Sequence, residues 1–169
     1  TTLTGSVSID TGAGTGDIAF QSNLTGTNDG VEDLTLTAGT GNITFTGAVG
    51  ATRLGDVLIN SAADVTESAG MTVASLKQVA GTGTTTLDGA VDTNTAQGVQ
   101  LTGTNLAVNA GISTSATGVV TVKRLAGSTR SVTGTRTTRA TSKSLVTSGV
   151  CRPLHHPSTG VTALELGPR

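Results

Sequence analysis

Aromatic residues are nearly missing from this chain, which has no Trp, no Tyr and only Phe20 and Phe45 among its 169 residues. Each aromatic side chain buries about 150–250 Å², so a globule with a thick aromatic core is excluded. A single cysteine, Cys151, excludes an internal disulfide framework. Histidine is confined to His155 and His156, which leaves residues 1–154 without an imidazole for acid–base chemistry. No apolar run is long enough to span a bilayer, and no secretory leader pattern is visible. Met71 is the only methionine, and an interior fragment or a processed chain is therefore expected.

Thin aliphatic side chains and turn formers are what remain. Hydrophobic residues make up 35%, mostly Val, Leu, Ile and Ala, and they are interleaved with 24 Gly and abundant Thr, Ser, Asn and Asp. This composition suits short strands joined by frequent turns around a narrow interior. The chain also repeats itself. Gly14-Thr15-Gly16-Asp17-Ile18-Ala19-Phe20 returns as Gly39-Thr40-Gly41-Asn42-Ile43-Thr44-Phe45, with five of seven positions identical. Thr46-Gly47-Ala48-Val49 returns as Asp88-Gly89-Ala90-Val91, and the same shift carries Val57 onto Val99 and Ile59 onto Leu101. A period of roughly 21, often doubled, marks stacked supersecondary units that cannot bury an apolar face alone.

Within each unit the apolar residues alternate. Val7 and Ile9, Ile18 and Phe20, Leu34 and Leu36, Ile43 and Phe45, Val57 and Ile59, Val99 and Leu101, Leu106 and Val108, and Val120 and Val122 all follow a period of two. Met71–Val79 could form a short helix, but its place in the repeat favours a strand. Hairpins would satisfy several of the short gaps. The long-range echo argues for winding instead, because equivalent strands then lie one above another. The expectation is an all-β parallel β-helix, a β-solenoid of about six coils and about 25–30 Å in length. Its interior would hold ladders of Ile18, Phe20, Leu34, Leu36, Ile43, Phe45, Val57, Ile59, Leu87, Val99 and Leu101.

Charge divides the chain in two. Residues 1–122 carry ten acids against Arg53 and Lys77, whereas residues 123–169 carry eight bases against Glu165 alone. The alternation of strands ceases at about the same point. Residues 1–122 are read as solenoid repeats, and 123–169 as a basic Ser/Thr/Arg-rich tail without regular structure. Three explanations compete for the tail: an arm for nucleic acid or another anionic surface, a disordered linker, and an out-of-frame translation of further repeats. The abrupt gain of Arg, Pro, His and Cys favours the last. No nucleic-acid partner is expected.

Candidate chemistry is sparse. Gly12-Ala13-Gly14-Thr15-Gly16 resembles a phosphate loop but has neither a following Lys nor a helix, and is read as a turn. Asp29, Glu32 and Asp33 offer hard oxygen ligands, yet without a calcium-loop pattern they read as a solvated acidic loop. Glycan hydrolysis needs two carboxylates about 5–10 Å apart, and Asp10, Asp17, Asp56, Asp64, Glu67, Asp88 and Asp92 are scattered at strand edges and turns. Cys151, His155 and His156 lack companion ligands for zinc. No catalytic residue, metal site or cofactor is expected. Thr35, Thr37, Thr44 and Thr46 are the candidates for an outward-facing binding row that would meet glycan or ice.

Segments such as Asp33-Leu34-Thr35-Leu36-Thr37, Gly41-Asn42-Ile43-Thr44-Phe45-Thr46-Gly47-Ala48-Val49-Gly50 and Gly55-Asp56-Val57-Leu58-Ile59-Asn60 resemble repeats of large bacterial surface proteins. These are the filamentous-haemagglutinin-like adhesins and autotransporter passenger domains, and the resemblance covers about residues 5–122. It implies a right-handed helix, export, and display outside the cell or on its surface as a stalk or fibre. The expected function is therefore structural, with neighbouring repeats and host or environmental glycans as partners and no membrane insertion. A glycan- or ice-binding module is the alternative, and a polysaccharide-acting β-helix enzyme the third. Cut solenoid ends present unpaired strand edges, so self-association is expected.

Overall fold

In the computed structural model, residues 1–115 and 117–124 are described. They form fifteen strands, from β1 (Thr2–Leu3) to β15 (Val120–Arg124), with no helix among them. Every strand pairing is parallel. The chain winds as a β-solenoid of about six turns, and the hairpin alternative is set aside.

Each coil supplies three strand positions, so the cross-section has three faces. The first face stacks β2 (Val7–Asp10), β5 (Leu34–Thr37), the second half of β7 (Val49–Ser61), the second half of β9 (Met71–Gln78), β12 (Val99–Gly103) and β15. A second contains β3 (Ile18–Phe20), β6 (Ile43–Phe45), β8 (Val65–Glu67), β10 (Thr84–Leu87) and β13 (Asn105–Val108). The third combines β1, β4 (Thr25–Gly26), the first halves of β7 and β9, β11 (Val91–Thr93) and β14 (Ile112–Thr114). Met71–Gln78 is thus a strand turning a corner, and the helical option for this stretch is discarded.

The register explains the echoes. Ile18 lies on Ile43 and Phe20 on Phe45, so the shorter echo is one coil. The longer echo, which carries Val57 onto Val99, spans two coils, since Val57 pairs with Leu76 and Leu76 with Val99. Coil length is uneven. The step from Val57 to Leu76 is short, whereas the step from Val7 to Leu34 is long because it contains the loop 27–33. A compensating irregularity lies in β7, where Val49 pairs with Met71 but Leu54 pairs with Val73. The extra residues bulge outward between these two pairs. Gly50 opens the bulge at φ 85°, where a Cβ would collide with the Thr72 carbonyl oxygen.

The core is a set of apolar columns in which Leu34, Leu36, Ile43, Phe45, Val57, Ile59, Leu87, Val99 and Leu101 are all buried. The Phe20 and Phe45 rings stack with centroids 5.1 Å apart and an interplanar angle of 4°. That separation follows from the inter-strand spacing of about 4.8 Å. At the two ends the columns are half covered, at Val7, Ile9 and Phe20 and at Leu106, Val108 and Ile112. β15 carries Lys123 and Arg124 into the last coil. The expected basic tail, with Cys151, His155 and His156, otherwise lies outside the described residues.

Candidate functional site

Polar side chains occur in three settings: inside the columns, along the corners, and on the outer faces. Interior columns are interrupted by polar residues that the alternation of apolar residues does not disclose, among them Thr85, between Val65 and Leu106, and Thr93, beside Val73. Glu67 sits between Phe45 and Leu87 on the second face, and Gln78 between Ile59 and Leu101 on the first. Both are buried. The Glu67 carboxylate accepts N–H groups from Ala69 (3.0 Å), Gly70 and Gly89 (3.0 Å). It thereby ties the turn of its own coil to that of the next. Gln78 Oε1 accepts the Thr85 hydroxyl at 2.8 Å, an interior hydrogen bond between two faces.

Glu32 corrects the reading of Asp29, Glu32 and Asp33 as a solvated acidic loop. Its side chain is only 1% exposed and takes the Asn28 backbone N–H at 3.0 and 3.1 Å and the Asn28 side-chain amide at 2.9 Å. Desolvation pushes the Glu32 carboxyl up. Hydrogen bonds from the backbone and side chain of Asn28 and from the backbone amides of Glu32 and Thr27 outweigh this and hold it below its ordinary value. Asp33 points elsewhere, accepting the Asp56 N–H at 2.7 Å, while Asp29 is exposed. The three acids do not converge on a common ligand position.

Asp33 belongs to a corner ladder. Ser6 Oγ accepts the N–H of Asp33, Asp33 that of Asp56, and Asp56 Oδ1 accepts the Ser75 hydroxyl at 2.6 Å. A second corner repeats the device. Asp17 Oδ1 accepts the Asn42 N–H at 2.7 Å, Asn42 Oδ1 that of Asp64 at 3.1 Å, and Asp64 Oδ1 that of Thr84 at 2.6 Å. The Gly-Asp/Asn-apolar pattern is the sequence signature of these ladders. The glycine leaves room for the side chain from the previous coil, since a Cβ on Gly83 would strike Asp64 Oδ1. Arg53, raised on the β7 bulge, reaches across two coils. It donates to the Val73 carbonyl at 2.7 Å and the Asp92 carbonyl at 3.2 Å, and forms an ion pair with the Asp92 carboxylate. Six of the seven scattered acids thus hold coils together, namely Asp17, Asp56, Asp64, Glu67, Asp92 and Asp88, whose Oδ1 accepts the Asn109 side-chain amide at 2.6 Å, and Asp33 of the acidic cluster joins them.

The four threonines expected as one binding row do not share one face. Thr35 and Thr37 lie on the first. There the row of Thr35 continues through Leu58, Lys77 and Gln100, and the Thr37 hydroxyl accepts the Asn60 amide at 3.1 Å. Thr44 lies on the second face, and Thr46 follows β6 one residue past its end. Thr44 stacks with Thr66 and Thr86 in register, between Ala19 and Ala107 at the two ends. The hydroxyls of Thr44, Thr66 and Thr86 have no hydrogen-bond partner among the described residues. Sequence spacing does not disclose Thr66 and Thr86 as members of this row, because the coils that separate them are of unequal length.

Gly12–Gly16 is a turn beside the first coil, and Asp10 Oδ1 takes the Gly12 N–H. Among the described residues, no three His, Cys, Asp or Glu side chains are grouped to hold a metal ion, and no helix is long and apolar enough to cross a membrane. A shallow hollow between Leu101, Leu106 and Val122 has room only for a water-sized occupant. No protein-family model, no curated protein and no solved structure matches the chain.

Proposed function

We propose that this chain is a structural segment of a bacterial surface-displayed, adhesin-like protein, a stiff spacer that holds other regions away from the cell. One observation carries the reading. The acids and amides that punctuate the repeat are spent on linking each coil to the next, at Asp17–Asn42–Asp64 and Ser6–Asp33–Asp56 and inside at Glu67. A chain that uses its polar side chains this way resists bending and unwinding, which is what a spacer requires. Export and display come from the resemblance of its repeats to adhesin and passenger-domain repeats. Labelling of intact source cells with antibodies against residues 1–124 tests the proposal. Surface labelling without permeabilisation is expected, and labelling only after permeabilisation would remove display from it.

A second reading is supported by the Thr44–Thr66–Thr86 column. Hydroxyls repeating at about 4.8 Å on a flat face suit a periodic ligand such as ice or an extended glycan, where weak contacts add up. Replacing Thr66 by Asp would abolish ice-recrystallisation inhibition or glycan-array binding if that face is the binder. Absence of both activities in the unmodified chain would leave the spacer reading alone.

A further inference from the structure

Val7 and Val120 occupy the same position of the repeat, at opposite ends of one continuous register. Val7 pairs with Leu34, Leu34 with Val57, Val57 with Leu76, Leu76 with Val99 and Val99 with Val120. Ile9 and Val122 are the first and last members of the neighbouring inward column. Within the described residues the outer edges of β2 and β15 are unpaired. Their apolar side chains show the consequence, for Val120 and Val122 are 40% and 39% exposed whereas Val99 and Leu101 beneath them are 0% and 4%.

The geometry points to head-to-tail stacking of this chain on a second copy, with β15 of one molecule pairing in parallel with β2 of the next. One further step of the observed register places Val7 of the next copy on Val120 and Ile9 on Val122. It also places Asp10 on Lys123. On the third face the same step sets β1 of the next copy beside β14, while on the second face one strand position separates β13 from β3 of the next copy. On the first and third faces the interface reproduces the contact that already joins each coil to its neighbour. Charge selects the polarity: Asp10 and Asp17 lie at the first coil, and Lys123 and Arg124 at the last. Asp10 uses Oδ1 on the Gly12 N–H and keeps Oδ2 for a cation. Head-to-head pairing would set acid against acid. Contacts of this heterologous kind do not close, so they build linear rods. The inference goes beyond the spacer reading and rests on the coil geometry alone, so either can fail without the other.

Sedimentation velocity of the full chain over a concentration series tests it. A ladder of linear oligomers is expected, weakened by salt because a rim ion pair contributes. Asp10→Lys and Lys123→Asp should each weaken association by about fivefold, and the double variant, which restores the opposite charges, should recover it. Circular dichroism of each variant distinguishes loss of folding from loss of association. A monomer at all concentrations would overturn the proposal, with the chain's own residues 125–169 covering the edge as the competing occupant. Association unchanged by both single reversals would also overturn it, placing the contact elsewhere.

Discussion

Glu67 occupies a position that Phe20, Phe45, Leu87 and Val108 fill in the other coils of its column. A buried acid there is tolerable because three backbone N–H groups surround it, and hydrogen bonds to a charged acceptor contribute more than neutral ones. Glu67→Ala is expected to cost about 3 kcal/mol, combining the orphaned amides with the emptied space. Glu67→Leu, which refills the column as Leu87 does, should cost less. Urea unfolding midpoints measure both. Glu32 contributes a pH dependence of definite sign. Its folded-state carboxyl titrates below the ordinary glutamate value of 4.5, so its stabilisation is complete above that value and is lost as pH falls through the lower folded-state value. Glu32→Gln should flatten this part of the acid-unfolding profile followed by circular dichroism. An unchanged profile would remove Glu32 from the account.

The coils are not identical elements, and their differences are compensated in pairs. The long coil containing loop 27–33 lies against the bulge of β7, where the Gly30 N–H reaches the Arg53 carbonyl at 2.9 Å. The bulge in turn lifts Arg53 to span the next two coils. Gly50 makes this possible, since φ 85° is costly for residues with a Cβ and the Thr72 carbonyl closes the space. Gly50→Ala should therefore destabilise by about 2–4 kcal/mol. Gly14→Ala, where a Cβ meets nothing within 4 Å, serves as the control and should be nearly neutral. Equal effects on the thermal midpoint would show that the bulge does not depend on a left-handed residue.

Over the whole rod, stability should rise from the ends to the middle. Val7, Ile9 and Phe20 near one end and Leu106, Val108 and Ile112 near the other are half covered, whereas Leu34, Ile43, Val57, Val73, Val91 and Val99 are buried. Local opening follows the number of neighbours each coil has. Hydrogen exchange at low protein concentration should accordingly be slowest from β5 to β11 and fastest in β1–β3 and β13–β15. Uniform protection along the chain would contradict this gradient. Raising the concentration should selectively slow β2 and β15 if copies stack end to end.

The class of fold is written in the pattern of residues 1–122. Val/Ile/Leu alternation sets which side chains face inward, and the near absence of aromatics requires a thin interior. The echoes of Ile18 in Ile43 and of Val57 in Val99 require coils rather than hairpins. The Gly-Asp/Asn-apolar signature is legible too, although its meaning as a hydrogen-bonded ladder is not. Which outward residues share a face was settled by the winding. Coil lengths are unequal, as the steps Val57 to Leu76 and Val7 to Leu34 show, and a shift of one position moves a side chain to the other side of a strand. Sequence spacing therefore groups Thr35 and Thr37 with Thr44 and Thr46, while the winding separates them and unites Thr44 with Thr66 and Thr86. The same holds for Glu32 and Glu67. Their chemistry reads as exposed in a linear sequence, and burial became acceptable only where the folded backbone turned its N–H groups toward them.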